Sequence, residues 1–190
     1  RYGLRAGLRY GWDADRLAVE LGGLAAMRES GAYLYEGKSA TALDFNPVHP
    51  QVISTYARLI GDSVRGYRRL DRGGAIELFL IGSERTWGLP REDRISPATR
   101  RVILDCARAD GVWADGDDWR VLASWWGSPK GRGGDWRLRR AIAAEVRKQI
   151  PGARFMIDPL WAAKLPGDTD LGGSWSYMGK GYAEGMADQV

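Results

Sequence analysis

Three carboxylates, Glu29, Glu36 and Asp44, fall inside "AAMRESGAYLYEGKSATALDFNP", residues 25–47. Cleavage of a glycosidic bond needs a carboxylic acid to protonate the leaving oxygen. A second carboxylate then acts on the sugar or on water, about 5 to 9.5 Å from the first. A glutamate at the end of a helix beside a hairpin is a workable place for the acid, because partial burial there favours the protonated form. The expected catalytic set is Glu29 as general acid with Glu36 or Asp44 as the second carboxylate. The bland alternative is an ordinary helix stop followed by a surface hairpin.

Glu29-Ser30-Gly31 resembles the Glu-Ser-Gly at the catalytic helix end of lysozyme-like lytic transglycosylases. The resemblance covers these three residues and the helix before them. It implies a general-acid role for Glu29 alone, and peptidoglycan as the glycan. The sequence then departs from that family: Ala42-Leu43-Asp44-Phe45 stands where the family has Gly-Leu-Met-Gln, and no later Ala-Tyr-Asn-Ala-Gly element follows.

Nine tryptophans occur in 190 residues, and Trp113, Trp119, Trp125, Trp126 and Trp136 lie in one segment. Indoles offer flat apolar faces that stack on sugars, nucleobases or partner side chains. Trp119, Trp125, Trp126 and Trp136 are the expected substrate-binding platforms, with core packing as the competing reading. A different constellation is Asp44, Glu77 and Asp158. Glu77 lies in and Asp158 at the end of an apolar strand, and Asp44 ends a third candidate strand. Carboxylates converging at a sheet edge would suit a metal-dependent nuclease. Turn and capping roles before Pro47 and Pro159 compete with that reading.

Other chemistries are poorly supplied. The single histidine, His49, and the single cysteine, Cys106, are too few for a zinc site of the usual kind. A Ser-His-Asp triad could use only His49. "ADGVWADGDDW" misses the EF-hand spacing, and "KGRGGDWR" misses the Walker spacing. No metal site and no cofactor is expected. Lys+Arg (28) and Asp+Glu (24) are mixed along the chain, giving a net charge of +4. Nucleic acid is therefore not favoured over a glycan as partner. No apolar run approaches the ~18 residues of a membrane span, and no signal peptide is visible. Neither localisation nor oligomeric state is readable.

The elements that must position these residues follow from periodicity and capping. A helix is expected through "RLAVELGGLAAMRES", capped by Asp13 or Asp15 and stopped at Gly31. Two short strands, "AYLYEG" and "SATALDF", follow around a turn. "HPQVISTYARLIGDSVRGYRRL" is the clearest helix, with Pro50 in its first turn and an apolar face of Val52, Ile53, Tyr56, Leu59, Ile60 and Val64. "AIELFLIG" reads as a central strand. Ser96-Pro97 opens another helix, "WRLRRAIAAEVRKQI" is a further one, and "ARFMIDP" is a second strand. The expected class is mixed α/β, with α+β as its variant: amphipathic helices packed on a small sheet that includes strands near 75–82 and 153–158. One domain is expected over 1–164, followed by a Gly-rich tail over 165–190. The functional expectation is a carboxylate-based glycan hydrolase. A non-enzymatic assembly or virion-type structural protein is the alternative, and the metal-dependent nuclease the third.

Overall fold

Helices dominate the computed structural model, which describes residues 6–10, 14–34, 45–71, 74–81, 89–127 and 133–156. Six α-helices are described: α1 (Ala14–Glu20), α2 (Gly23–Ser30), α3 (Pro50–Leu70), α4 (Pro97–Ala109), α5 (Leu122–Gly127) and α6 (Gly134–Gln149). Three short strands accompany them, β1 (Ala6–Tyr10), β2 (Ile76–Ile81) and β3 (Arg154–Met156). They form a parallel sheet in the order β1-β2-β3. The mixed α/β expectation is corrected by this balance: the protein is mostly helical. That expectation rests on two apolar runs, "AIELFLIG" and "ARFMIDP", which do supply β2 and β3, but helices take up most of the described residues.

Two compact units emerge. The first comprises Arg1–Trp12, Arg58–Thr86 and Ile142–Val190, and the second Asp13–Ala57 and Trp87–Ala141. All three strands belong to the first. The second holds α1, α2, α4 and α5 and, among its described residues, no strand beyond an isolated Tyr33–Phe45 antiparallel bridge. The helices expected to lie on a sheet therefore mostly build a helical unit of their own. The proposed tail, 165–190, lies outside the described residues.

Local sequence accounts for the helix boundaries. Ser96 caps α4 by accepting the Thr99 N–H at 3.0 Å, and Pro97 occupies the first turn. Gly31 ends α2 in the left-handed region, φ 81°. A Cβ at Gly31 would also stand 2.7 Å from the Ala98 backbone, so both conformation and space require glycine. The single helix expected over 16–30 is broken in two, because Gly22 and Gly23 both have positive φ. Glycine tolerates that geometry, and a pair of them ends one helix and starts the next.

In the strand-bearing unit, Phe79 of β2 and Phe155 of β3 pack with ring centroids 6.0 Å apart. Leu59, Ile60 and Val64 of α3 and Ile142, Ala143 and Val146 of α6 are buried there. Gly61 allows close approach of the two helices, since a Cβ on it would meet the Glu145 Cγ at 2.5 Å. In the helical unit the core includes Leu17, Met27, Phe45, Val52, Tyr56 and Ile103. Phe45 and Tyr56 stack at 5.7 Å. Burial of such side chains contributes roughly 1.5–3 kcal/mol each.

Candidate functional site

The last turn of α2 carries Arg28, Glu29 and Ser30, and all three are exposed. Behind them the backbone is held by buried polar groups. Asn46, fully buried, donates its amide N–H to the Gly31 carbonyl at 2.9 Å. Its backbone N–H bonds the Ala32 carbonyl at 2.7 Å, and its side-chain oxygen accepts the Val48 N–H at 3.2 Å. From the other side, the buried Thr99 hydroxyl donates to the Tyr33 carbonyl at 2.7 Å. The Arg28 guanidinium lies 5.1 Å over the Tyr33 ring. Tyr33 and Phe45 form the antiparallel bridge, so the chain that leaves at Leu34 returns beside the end of α2. Buried backbone groups demand partners, and here Asn46 and Thr99 supply them where no regular element can.

His49 completes this support. It precedes Pro50 at the start of α3, and its Nδ1 accepts the Gln51 N–H at 3.2 Å, an imidazole acting as a helix cap. A hydrogen bond links it to the Ser30 backbone. Burial pushes its pKa down, and the Ser30 bond opposes that only in part. The neutral ring is the form that can both accept and donate. The lone histidine thus serves as a strut between the end of α2 and the start of α3.

Glu29, itself exposed, directly precedes this hydrogen-bonded backbone in the chain. Glu36 and Asp44 lie outside the described residues, so the structure describes one member of the expected acid set. Of the nuclease constellation, Asp44 and Asp158 also lie outside, and Glu77 belongs to β2. Among the described residues no group of three or more His, Cys, Asp or Glu could hold a metal ion.

The tryptophans divide. Trp125, Trp126 and Trp136 are buried. Trp125 and Trp126 meet edge to face at 6.0 Å and 69°. Trp125 Nε1 donates to Asp110 Oδ2 at 2.8 Å, and Arg137 Nη2 reaches the same oxygen at 2.6 Å. The Asp110 carboxylate is 9% exposed, far from the solvated turn that its Asp- and Gly-rich neighbours suggest. Gly133 lies against the Trp125 ring, where a Cβ would sit 2.5 Å away. These three indoles are packed in the helical unit, with little free face for a ligand. Trp119 differs. It is half-buried, its N–H is fixed on the Pro90 carbonyl at 2.8 Å, and it lines an open depression of about 520 Å³ with Arg91, Glu92 and Asp93. Arg91 pairs with Asp93 at 2.8 Å and Arg100 with Glu92 at 2.6 Å, which balances the charge around it.

The acidic turn after α4 is internally satisfied. Asp117 accepts the Ala114 N–H at 2.7 Å, Asp115 pairs with Arg108 at 2.9 Å, and Asp118 caps the following turn through the Arg120 N–H at 2.8 Å. Hydrogen bonds from the Arg120 side chain, then from its backbone, hold the Asp118 carboxyl below its usual range. Cys106 is half-buried, and desolvation pushes its thiol up, away from the reactive thiolate.

Asn46 and Asp110 escaped the sequence reading. Asn46 acts on a residue fifteen positions away, and Asp110 on one twenty-seven away. No local spacing announces either. No protein-family model, no curated protein and no solved structure matches the chain. No described helix is long and apolar enough to cross a membrane.

Proposed function

We propose that the chain is a carboxylate-based glycan hydrolase in which Glu29 is the general acid. The observation that supports this reading is the buried Asn46–Gly31 and Thr99–Tyr33 support beneath an exposed glutamate at a helix end. A general acid must hold its position to within fractions of an ångström, and such positioning is built from groups behind the reacting one. The proton passes from the Glu29 carboxyl to the glycosidic oxygen as the C–O bond breaks. Asp44 or Glu36 supplies the second carboxylate in this scheme, on the nascent oxocarbenium carbon or on the attacking water. Trp119, with one face in an open depression, is the sugar platform; Trp125, Trp126 and Trp136 support structure.

The test is release of reducing ends from purified peptidoglycan, alongside clearing of a cell-wall suspension. Wild-type protein should act, and Glu29→Gln should lose activity by 100-fold or more, as expected for removal of a general acid. Equal rates for the two, or no release by the wild type, would defeat the proposal.

A further inference from the structure

Trp119 offers a ligand an apolar plane and no polar edge. Its indole N–H is taken by the Pro90 carbonyl at 2.8 Å, and that bond also fixes the direction of the ring. The depression beside it, about 520 Å³, is lined by Arg91, Glu92 and Asp93, which follow Pro90 directly in the chain. Arg91 grips Asp93 with two bonds, Nε to Oδ1 at 3.0 Å and Nη2 to Oδ2 at 2.8 Å. Arg100 of α4 donates from Nε to Glu92 Oε1 at 2.6 Å. Among the described residues this leaves Arg91 Nη1 and Glu92 Oε2 outside any hydrogen bond. One donor and one acceptor in the lining are therefore open to a ligand, on side chains that their partners already hold in place.

Three kinds of ligand stack on indoles, and the lining discriminates among them. A nucleotide strand brings phosphates, but Arg91 and Arg100 are each matched by a carboxylate. A proline-rich peptide brings backbone carbonyls, but the indole N–H that would hold one is already used. A sugar ring brings a C–H face that suits the negative face of the indole, and a rim of hydroxyls that both donate and accept. We infer that this depression is a sugar-binding subsite for an uncharged pyranose ring, stacked on Trp119, with its hydroxyls donating to Glu92 Oε2 and accepting from Arg91 Nη1. The choice of ligand class rests on the glycan reading given above, while the subsite itself takes no part in proton transfer. Both places lean on the start of α4: a Cβ at Gly31 would stand 2.7 Å from the Ala98 backbone, and Arg100, two residues on, holds Glu92.

The experiment is an NMR titration of the indole N–H signals, with the 15N-labelled full chain carrying Glu29→Gln so that bound sugar is not cleaved. The probes are the tetramers of N-acetylglucosamine and of galacturonate, one uncharged and one anionic. The neutral tetramer should shift the indole signal that is missing from the Trp119→Phe spectrum. The anionic tetramer should bind at least tenfold more weakly. Trp119→Ala should abolish binding. Glu92→Ala should weaken it about fivefold or more, through loss of a charge-assisted hydrogen bond. Glu92 is exposed, so the urea midpoint of that variant should stay at the wild-type value, which separates loss of the site from loss of the fold. No shift of the Trp119 signal by either tetramer would overturn the inference. Galacturonate binding as tight as the neutral tetramer would overturn the choice of an uncharged ring. Wild-type affinity in Glu92→Ala would overturn the hydroxyl contacts. Binding as expected, with no release of reducing ends by the wild type, would uphold the subsite and defeat the hydrolase; cleavage without the shift would do the reverse.

Discussion

Asn46 and Asp110 are both polar side chains sunk among apolar neighbours of the helical unit, yet they join different things. Asn46 ties backbone to backbone: the carbonyls of Gly31 and Ala32 on one side, the Val48 N–H on the other. Asp110 ties side chain to side chain, Trp125 to Arg137, through one oxygen. The first cluster sits beneath an exposed carboxylate at a helix end. The second sits within packed indoles. Polar groups of one kind of burial thus serve positioning in one place and packing in the other. The contrast bears on the candidate residues: Glu29, the proposed acid, lies over the first cluster, while Trp125, Trp126 and Trp136 are buried.

The sharpest way to break the contrast is to remove Asp110. Asp110→Ala leaves the Trp125 N–H and the Arg137 guanidinium without their shared acceptor. Arg137 is 31% exposed and recovers some solvent, so the expected loss is about 3 kcal/mol, at the lower edge for breaking a buried charged pair. Urea denaturation at pH 7 measures it. If Asp110 only packs, the folded fraction of this variant should keep in full the glycan-cleaving activity proposed for the wild type.

Asn46→Ala should cost less, about 2 kcal/mol, because it strips neutral hydrogen bonds and strands the Gly31 carbonyl and Val48 N–H. Here the rate should fall along with stability, tenfold or more at temperatures where the variant is fully folded. A stability loss with unchanged rate would place Asn46 on the packing side and dissolve the contrast. Ser96→Ala, at the cap of α4, tests the same support from behind Thr99. Its expected cost is about 1 kcal/mol, read from the shift in urea midpoint.

His49 couples the same region to pH. Its folded pKa lies below the 6.5 of the free side chain, so below that pH the unfolded chain binds a proton that the folded chain resists. Stability from this group is therefore complete above about pH 6.5 and is lost as pH falls below it. A series of denaturation curves from pH 7.5 to 5 should show a shallower decline for His49→Gln than for wild type. Parallel slopes would mean that the ring titrates alike in both states.

The sequence disclosed what is decided within a turn of helix. Ser96 with Pro97, Gly31 as a stop and Pro50 at the start of α3 follow from capping and fixed φ alone. The break at Gly22-Gly23 was present as a weak helix centre, but its depth depends on two consecutive positive φ values. The fold class is not legible because two short apolar strands signal a sheet as strongly as four periodic segments signal helices, and only the structure shows the helices to dominate. The tryptophans show a different limit: composition counts indoles but gives them no direction, and Trp119 and Trp126 read alike until partners at Pro90 and Trp125 are in place. Asn46 and Thr99 act across fifteen and sixty-six positions, so the support beneath Glu29 belongs to tertiary structure.

The smallest expected effect on stability carries the greatest weight for function. Glu29 is exposed, and its replacement by glutamine keeps the shape and helix propensity of the side chain while removing the proton it could donate. Glu29→Gln should therefore shift stability by no more than about 0.5 kcal/mol, as for a surface substitution. Set beside Asp110→Ala, it forms a crossed pair: one variant intact but inactive, the other weakened but competent when folded. An exposed helix-end glutamate with no chemical duty would give a variant that is intact and unchanged in rate. That outcome would reduce Glu29-Ser30-Gly31 to a helix stop, and Asn46 to the residue that makes the stop rigid.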